Sequence, residues 1–312
     1  MISAINDLKG ILLPTTTPFD SNGLICTSDL TSNIKAWSAR GVIGFVVLGS
    51  TGERVHLDER EYLEVIEVSR AATDSVLIAG AGQQSTINTI KEIKNAAQVG
   101  ADAVLVITPY FYRPAITQET LINYYTAVAD AAPVPRLLYS MPPLTGIKIE
   151  PGTVARLSEH PNIIGVKDSS NDVAGFRRTV ELCPTDFAVM TGNGTVLLDA
   201  LRAGAIGGIL AVGCVVPEVC VEIFRLFDTQ EVESAERLQH ELTPLASAVT
   251  TKYGIGGLKA ALDFAGYRGG AVRAPLRAPD DASRAEIKSV LARLQDLHDL
   301  PVKCPAQEHQ PS

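Results

Sequence analysis

The sequence predicts an α/β fold, a (β/α)8 barrel with a C-terminal helical extension. Three observations carry this expectation. Eight short apolar runs recur along the first two thirds of the chain, their starts 20 to 34 residues apart. The gaps between them carry helix start and stop signals. After Gly213 the strand-like runs cease and four helix-like segments follow.

The eight runs are residues 10–19, 44–50, 76–82, 103–110, 136–142, 163–169, 187–193 and 207–213. Each is rich in Val, Ile and Leu without polar alternation, as strands buried on both faces should be. In the gaps, Asp58 with Glu61 three residues on reads as a capping box, with Ile66 deeper on the same segment. Ser85 reads as the next cap, followed at helical spacing by Ile87, Ile90 and Lys94. Gly41, Gly100 and Gly204 each sit a few residues before the next run, where a helix should stop. The stretches 98–103 and 202–207 repeat that stop-then-strand device.

Strand, helix, strand implies parallel pairing through right-handed crossovers. An open doubly wound sheet would show the same alternation. No GxGxxG follows the first run, and eight units close into a barrel, so the strand count favours the barrel. Residues 217–227 would supply its last helix. Residues 231–248, 256–264 and 282–297 read as an appended helical region. The expected organisation is therefore a barrel over 1–230, a helical region over 231–300 and a disordered tail over 301–312, which is polar and contains proline. A length of 312 residues accommodates one barrel and its appendage.

Apolar residues are 46% and charged residues 20%, ordinary for a globular chain. The formal net charge of −8 argues against nucleic acid as the main partner but leaves a small anionic substrate open. The five cysteines, Cys26, Cys183, Cys214, Cys220 and Cys304, are scattered and include no CxxC, which reads as reduced structural thiols. The N-terminal ten residues lack a signal-length apolar run, and no run of about 18 apolar residues occurs. A cytoplasmic location with no membrane partner is expected. The histidines His56, His160, His240, His298 and His309 form no metal-ligand spacing.

In such a barrel the chemistry belongs at the C-terminal ends of the strands. Lys167 follows the apolar Ile163-Ile164-Gly165-Val166. Its stem should start inside the strand, where desolvation lowers the pKa of an amine and makes it nucleophilic. The alternative is a lysine snorkelling to water. Gly49-Ser50-Thr51-Gly52 is a small-residue turn whose amides and hydroxyls could hold a carboxylate, or simply a tight turn. Glu53 begins the next helical stretch, where an acid suits the helix dipole, and reads as structural. Tyr139 is either a satisfied core phenol or a proton carrier facing the lysine. Ser169 closes the sixth run beside Lys167. Asn193 and Leu210 mark the loops after the seventh and eighth runs, which would select the substrate. Gly207-Gly208 fits a phosphate site or close backbone packing equally well. Ser50 has no histidine partner for hydrolase chemistry.

Together, Gly49-Ser50-Thr51-Gly52-Glu53, Tyr139-Ser140-Met141-Pro142 with Thr145-Gly146, and Gly165-Val166-Lys167-Asp168-Ser169 resemble the signature of the dihydrodipicolinate synthase / N-acetylneuraminate lyase family. The resemblance runs from Gly10 to about Leu297. It implies a barrel with a C-terminal helical domain and Schiff-base chemistry on pyruvate. It also implies a homotetramer or dimer and no cofactor or metal. By position, Lys167 resembles the Schiff-base lysine, Ser50 and Thr51 the carboxylate-binding pair, and Tyr139 the proton-shuttling phenol. The nearest likeness is to 4-hydroxy-2-oxoglutarate aldolase. It includes Tyr253-Gly254-Ile255-Gly256-Gly257-Leu258-Lys259, Gly269-Gly270 and Arg273-Ala274-Pro275-Leu276. Deoxy-sugar-acid aldolases share part of it.

Two positions depart from the family pattern. Leu144 stands where a synthase would carry an arginine for its second substrate's carboxylate. Phe111 stands where the family places a tyrosine donated to a neighbouring subunit, which leaves Tyr110 or Tyr112 as replacements. The expected partners are thus pyruvate and a small aldehyde or 2-oxo acid. The rival readings are a deoxy-sugar-acid dehydratase or dihydrodipicolinate synthase on the same lysine, and a non-catalytic 2-oxo-acid-binding barrel.

Overall fold

The computed structural model describes residues 5–298. The expected tail, 301–312, lies outside the described residues. Eight strands follow the predicted order: β1 (Gly10–Pro14), β2 (Gly44–Val47), β3 (Val76–Ala81), β4 (Ala103–Ile107), β5 (Arg136–Ser140), β6 (Ile163–Asp168), β7 (Ala188–Thr191) and β8 (Gly207–Ile209). They form one closed barrel in sequence order, every neighbouring pair parallel, with β8 closing on β1. Each strand starts within one residue of its expected start and ends sooner, because the chain leaves the ladder to build the loops at the C-terminal mouth.

The helices are α1 (Thr27–Ser38), α2 (Glu59–Ala72), α3 (Thr86–Gln98), α4 (Gln118–Ala131), α5 (Pro142–Thr145), α6 (Pro151–Ser158), α7 (Val173–Leu182), α8 (Leu197–Arg202), α9 (Pro217–Asp228), α10 (Val232–Ser247), α11 (Gly254–Phe264) and α12 (Asp281–His298). Their ends follow the sequence signals. Asp58 and Glu61 form a reciprocal capping box on α2, and Ser85 accepts from the Asn88 amide at the start of α3. Gly41, Gly100 and Gly204 take positive φ values of 75°, 104° and 102° at the expected stops.

Two apolar layers explain the unbroken runs. Alternate strand residues, among them Leu12, Val46, Ile78, Leu105, Leu137 and Met190, fill the barrel. Their neighbours, such as Leu13, Val47, Leu138 and Val166, pack outward against the helices. The second layer continues without a break into the C-terminal helices through Leu242, Leu245, Leu258, Ile287 and Leu291. At Gly207-Gly208 the packing explanation holds: a side chain on Gly207 would meet the Gly10 carbonyl oxygen at 1.8 Å. Cys26, Cys183, Cys214 and Cys220 are free thiols. Among the described residues no helix is long and apolar enough to cross a membrane.

Candidate active site

The strand pleat places the lysine and the phenol side by side. On β5, Leu137 and Tyr139 share the inward face, and register pairs Tyr139 with Lys167 on β6. Lys167 is only 4% exposed, and its Nζ lies 4.5 Å from the centre of the Tyr139 ring. Among the described residues no carboxylate comes within ion-pair distance of it. The amine therefore neither snorkels to water nor spends itself on a salt bridge.

The turn after β2 brings the hydroxyls to this pair. Leu48 adopts φ 60°, an unusual left-handed conformation for a branched side chain. It swings the chain inward over the barrel mouth, and the cost is of order 1–3 kcal/mol. Gly80 makes room for it, since a Cβ there would lie 2.1 Å from the Leu48 carbonyl oxygen. The Gly52 amide donates to the Gly49 carbonyl (3.0 Å) and Thr17 Oγ1 donates to the Gly52 carbonyl (2.7 Å), which closes the turn. Ser50 Oγ then lies 3.2 Å from Tyr139 Oη, with Thr51 buried beside it.

Glu53 is structural, but not through a helix dipole. It sits at φ 54° before a single helical turn, and its carboxylate is buried away from that turn's amides. Lys259 of α11, 2% exposed, donates to Glu53 Oε1 at 2.5 Å and to the carbonyls of Thr17 (2.8 Å) and Ala271 (2.6 Å). Burial pulls the Lys259 pKa below its ordinary value against the opposing pull of Glu53. The Arg273 amide donates to Glu53 Oε2 (3.0 Å), which also meets His56 Nδ1 (3.1 Å). The C-terminal helical region thus clamps the Ser50–Glu53 turn from behind.

Ser169 joins the site through a close approach. A Cβ on Gly192 would lie 1.9 Å from Ser169 Oγ and 2.7 Å from Lys167 Cε, so that glycine admits both side chains. Asn193 is absorbed by its own loop: its Oδ1 accepts from the Thr195 amide (3.0 Å) and Thr195 Oγ1 (2.8 Å), and its Nδ2 donates to Asn171. Leu210 is fully buried in the layer between strands and helices and does not line the cavity, a correction to its expected place in the substrate loop. The pleat decides this, turning residue 210 outward after the inward Ile209.

A cavity of about 320 Å³ opens at this mouth, with Ser50, Tyr139 and Thr145 on its wall. Leu144 lines it where a synthase arginine was looked for, and Tyr110 lines it too. Phe111 and Tyr112 are each 71% exposed and stack edge-on at 5.0 Å. Of the two tyrosines proposed to replace the missing phenol, Tyr110 is the one on the cavity.

Sequence reasoning missed Leu48, Gly80 and Gly192 as site-shaping residues. Lys259 left a signal, the one cation inside a largely apolar helical segment.

The sequence profile of the dihydrodipicolinate synthetase family matches residues 7–294. The 4-hydroxy-tetrahydrodipicolinate synthase of Methanothrix thermoacetophila is 33% identical over 290 residues, 93% of this chain and 98% of that protein. The enzyme of the same name from Methanopyrus kandleri is 35% identical over 303 residues, covering 94% and 98%. The dihydrodipicolinate synthase structure from Thermotoga maritima superposes with a TM-score of 0.88 at 30% identity, over 92% of this chain and 98% of that one. YagE from E. coli, a member of the dihydrodipicolinic acid synthase family solved in complex with pyruvate, gives 0.86 at 28% identity, over 92% and 98%. The chain belongs to the dihydrodipicolinate synthetase family and is a lyase of its class I, Schiff-base kind.

Proposed function

We propose that the chain is an aldolase that cleaves or forms the C3–C4 bond of a 4-hydroxy-2-oxo acid through a Schiff base on Lys167. The observation that carries this reading is the buried Lys167 amine, free of any carboxylate among the described residues, against the ring of Tyr139. In cleavage the amine attacks the 2-oxo carbon and water is lost to give an iminium. Tyr139, directly or through the substrate carboxylate, removes the C4 hydroxyl proton. The C3–C4 electron pair flows into the iminium, an aldehyde departs, and the enamine of pyruvate is protonated at C3 and hydrolysed. Ser50 and Thr51 hold the pyruvate carboxylate and orient the carbonyl, and Ser169 lies against the lysine stem. The substrates weighed are 4-hydroxy-2-oxoglutarate and 2-keto-3-deoxy sugar acids. The protein is taken to act in the cytoplasm as a homo-oligomer, tetramer or dimer. Sedimentation velocity reads that state, and a monomer would remove it.

The relatives' name favours a second reading, 4-hydroxy-tetrahydrodipicolinate synthase. Leu144 speaks against it, because an alkyl side chain offers no partner for a second carboxylate. The experiment is reduction with borohydride in the presence of pyruvate, followed by peptide mass analysis. A reduced three-carbon adduct on Lys167 is expected. Its absence would remove the mechanism. Release of pyruvate from a panel of 4-hydroxy-2-oxo acids then separates the aldolase from a dehydratase and from a silent binding barrel. Formation of 4-hydroxy-tetrahydrodipicolinate would instead reveal the synthase.

A further inference from the structure

The cavity meets the site at Tyr139 and Ser50 rather than at Lys167, which places the aldehyde half of the substrate in it, and the wall there is largely apolar. Leu48, Val55, Leu105, Ile107, Leu144 and Leu276 lie on it, beside the polar Ser50, Thr145 and Tyr110. Besides the phenols Tyr110 and Tyr139, three charged or titratable side chains reach the wall, Glu53, Arg54 and His56, and each of the three is already engaged. Glu53 is shared by Lys259, the Arg273 amide and His56. Arg54 is paired with Glu92, which is fixed in turn by the Gly82 amide (2.8 Å) and Gln83 Nε2 (2.9 Å). Its Nε is sealed from solvent and has no partner. Arg113 is exposed, lies against Gly146 and does not line the cavity. A carboxylate on the distal end of the substrate would lose its hydration, and the one arginine among the described lining residues already holds the Glu92 carboxylate. An alkyl or aryl group would exchange water for apolar wall at a gain.

From this we infer that the aldehyde partner is uncharged and apolar-bodied, of branched-aliphatic or single-ring size. The cavity, about 320 Å³, lies at the small end of the roughly 300–1,000 Å³ range of small-molecule sites. The inference rests on the Schiff-base aldolase reading. In the synthetic direction, C3 of the pyruvate enamine bonds to the aldehyde carbon. The carbonyl π pair moves to its oxygen, which takes a proton from Tyr139, and water hydrolyses the iminium to release Lys167. Atoms and electrons balance without any further reagent. A dicarboxylate such as 4-hydroxy-2-oxoglutarate, whose aldehyde half carries an acid, ranks below alkyl or aryl 4-hydroxy-2-oxo acids.

The test compares 4-methylpentanal with succinic semialdehyde, which has the same chain length with a carboxylate in place of the isopropyl group. Each is offered with pyruvate, and the 4-hydroxy-2-oxo acid product is quantified by mass spectrometry. The expected result is a kcat/KM at least tenfold higher for 4-methylpentanal, with Leu144→Arg raising that for succinic semialdehyde at least tenfold. Equal rates, a preference for the semialdehyde, or a Leu144→Arg variant with unchanged selectivity would overturn the inference while the pyruvate adduct on Lys167 still formed. An Arg113→Ala variant that abolished a preference for the semialdehyde would identify Arg113 as the cation that overturned it. Failure of the adduct itself would instead bring down the aldolase reading on which the inference stands.

Discussion

Tyr139 and Lys167 are adjacent by register, and Ser50 reaches the phenol from a different strand end. If Tyr139 moves the proton, Tyr139→Phe should lower kcat by roughly 10²–10⁴-fold and leave the Lys167 adduct with pyruvate able to form. Steady-state kinetics beside borohydride trapping measures both, and an unchanged kcat would take Tyr139 out of the proton path. Gly192 is a sharper test of geometry. Gly192→Ala puts a methyl where Ser169 Oγ and the lysine stem now lie, so adduct formation should slow at least tenfold. Wild-type trapping rates in that variant would mean that the lysine stem accommodates the methyl freely.

At the scale of elements, the decisive contact joins the C-terminal helices to the β2 turn. Lys259 on α11 holds Glu53, the residue that ends the turn bearing Ser50 and Thr51. Removing one partner of a buried pair leaves the other charge without compensation, at about 3–5 kcal/mol. Lys259→Met should therefore lose stability of that order in urea unfolding. It should also raise the KM for pyruvate more than it lowers kcat, because the turn binds rather than reacts. A variant as stable as the wild type would show that the Arg273 amide and His56 suffice for Glu53. The loops carrying Asn193 and Leu210 show the opposite relation, since their side chains are consumed in shaping the chain rather than in facing the cavity.

For the whole molecule, the apolar layer outside the barrel is continuous with the helices α10 to α12. Two regions that share one core and a buried ion pair should unfold together. Calorimetry is expected to show a single transition in which the barrel and the helical region melt together. Two resolved transitions would mark the region after residue 230 as an independent unit.

The strand runs, the caps at Asp58 and Ser85 and the glycine stops were legible because they depend on local periodicity and backbone conformation, which sequence encodes within a turn or two. The position of Lys167 at a strand end was legible for the same reason. Its meeting with Tyr139 and Ser50 was legible only through the family resemblance, because it depends on the shear of a closed barrel and on the inward bend at Leu48. That bend is strained, and only the fit against Gly80 permits it. Likewise Glu53 looked like a first-turn acid until the fold brought Lys259, some two hundred positions away, against it. Sequence determined which residues could do chemistry and which strand ends would carry them. Tertiary structure decided which of them meet, because contact between distant strands is set by register and packing rather than by neighbours along the chain.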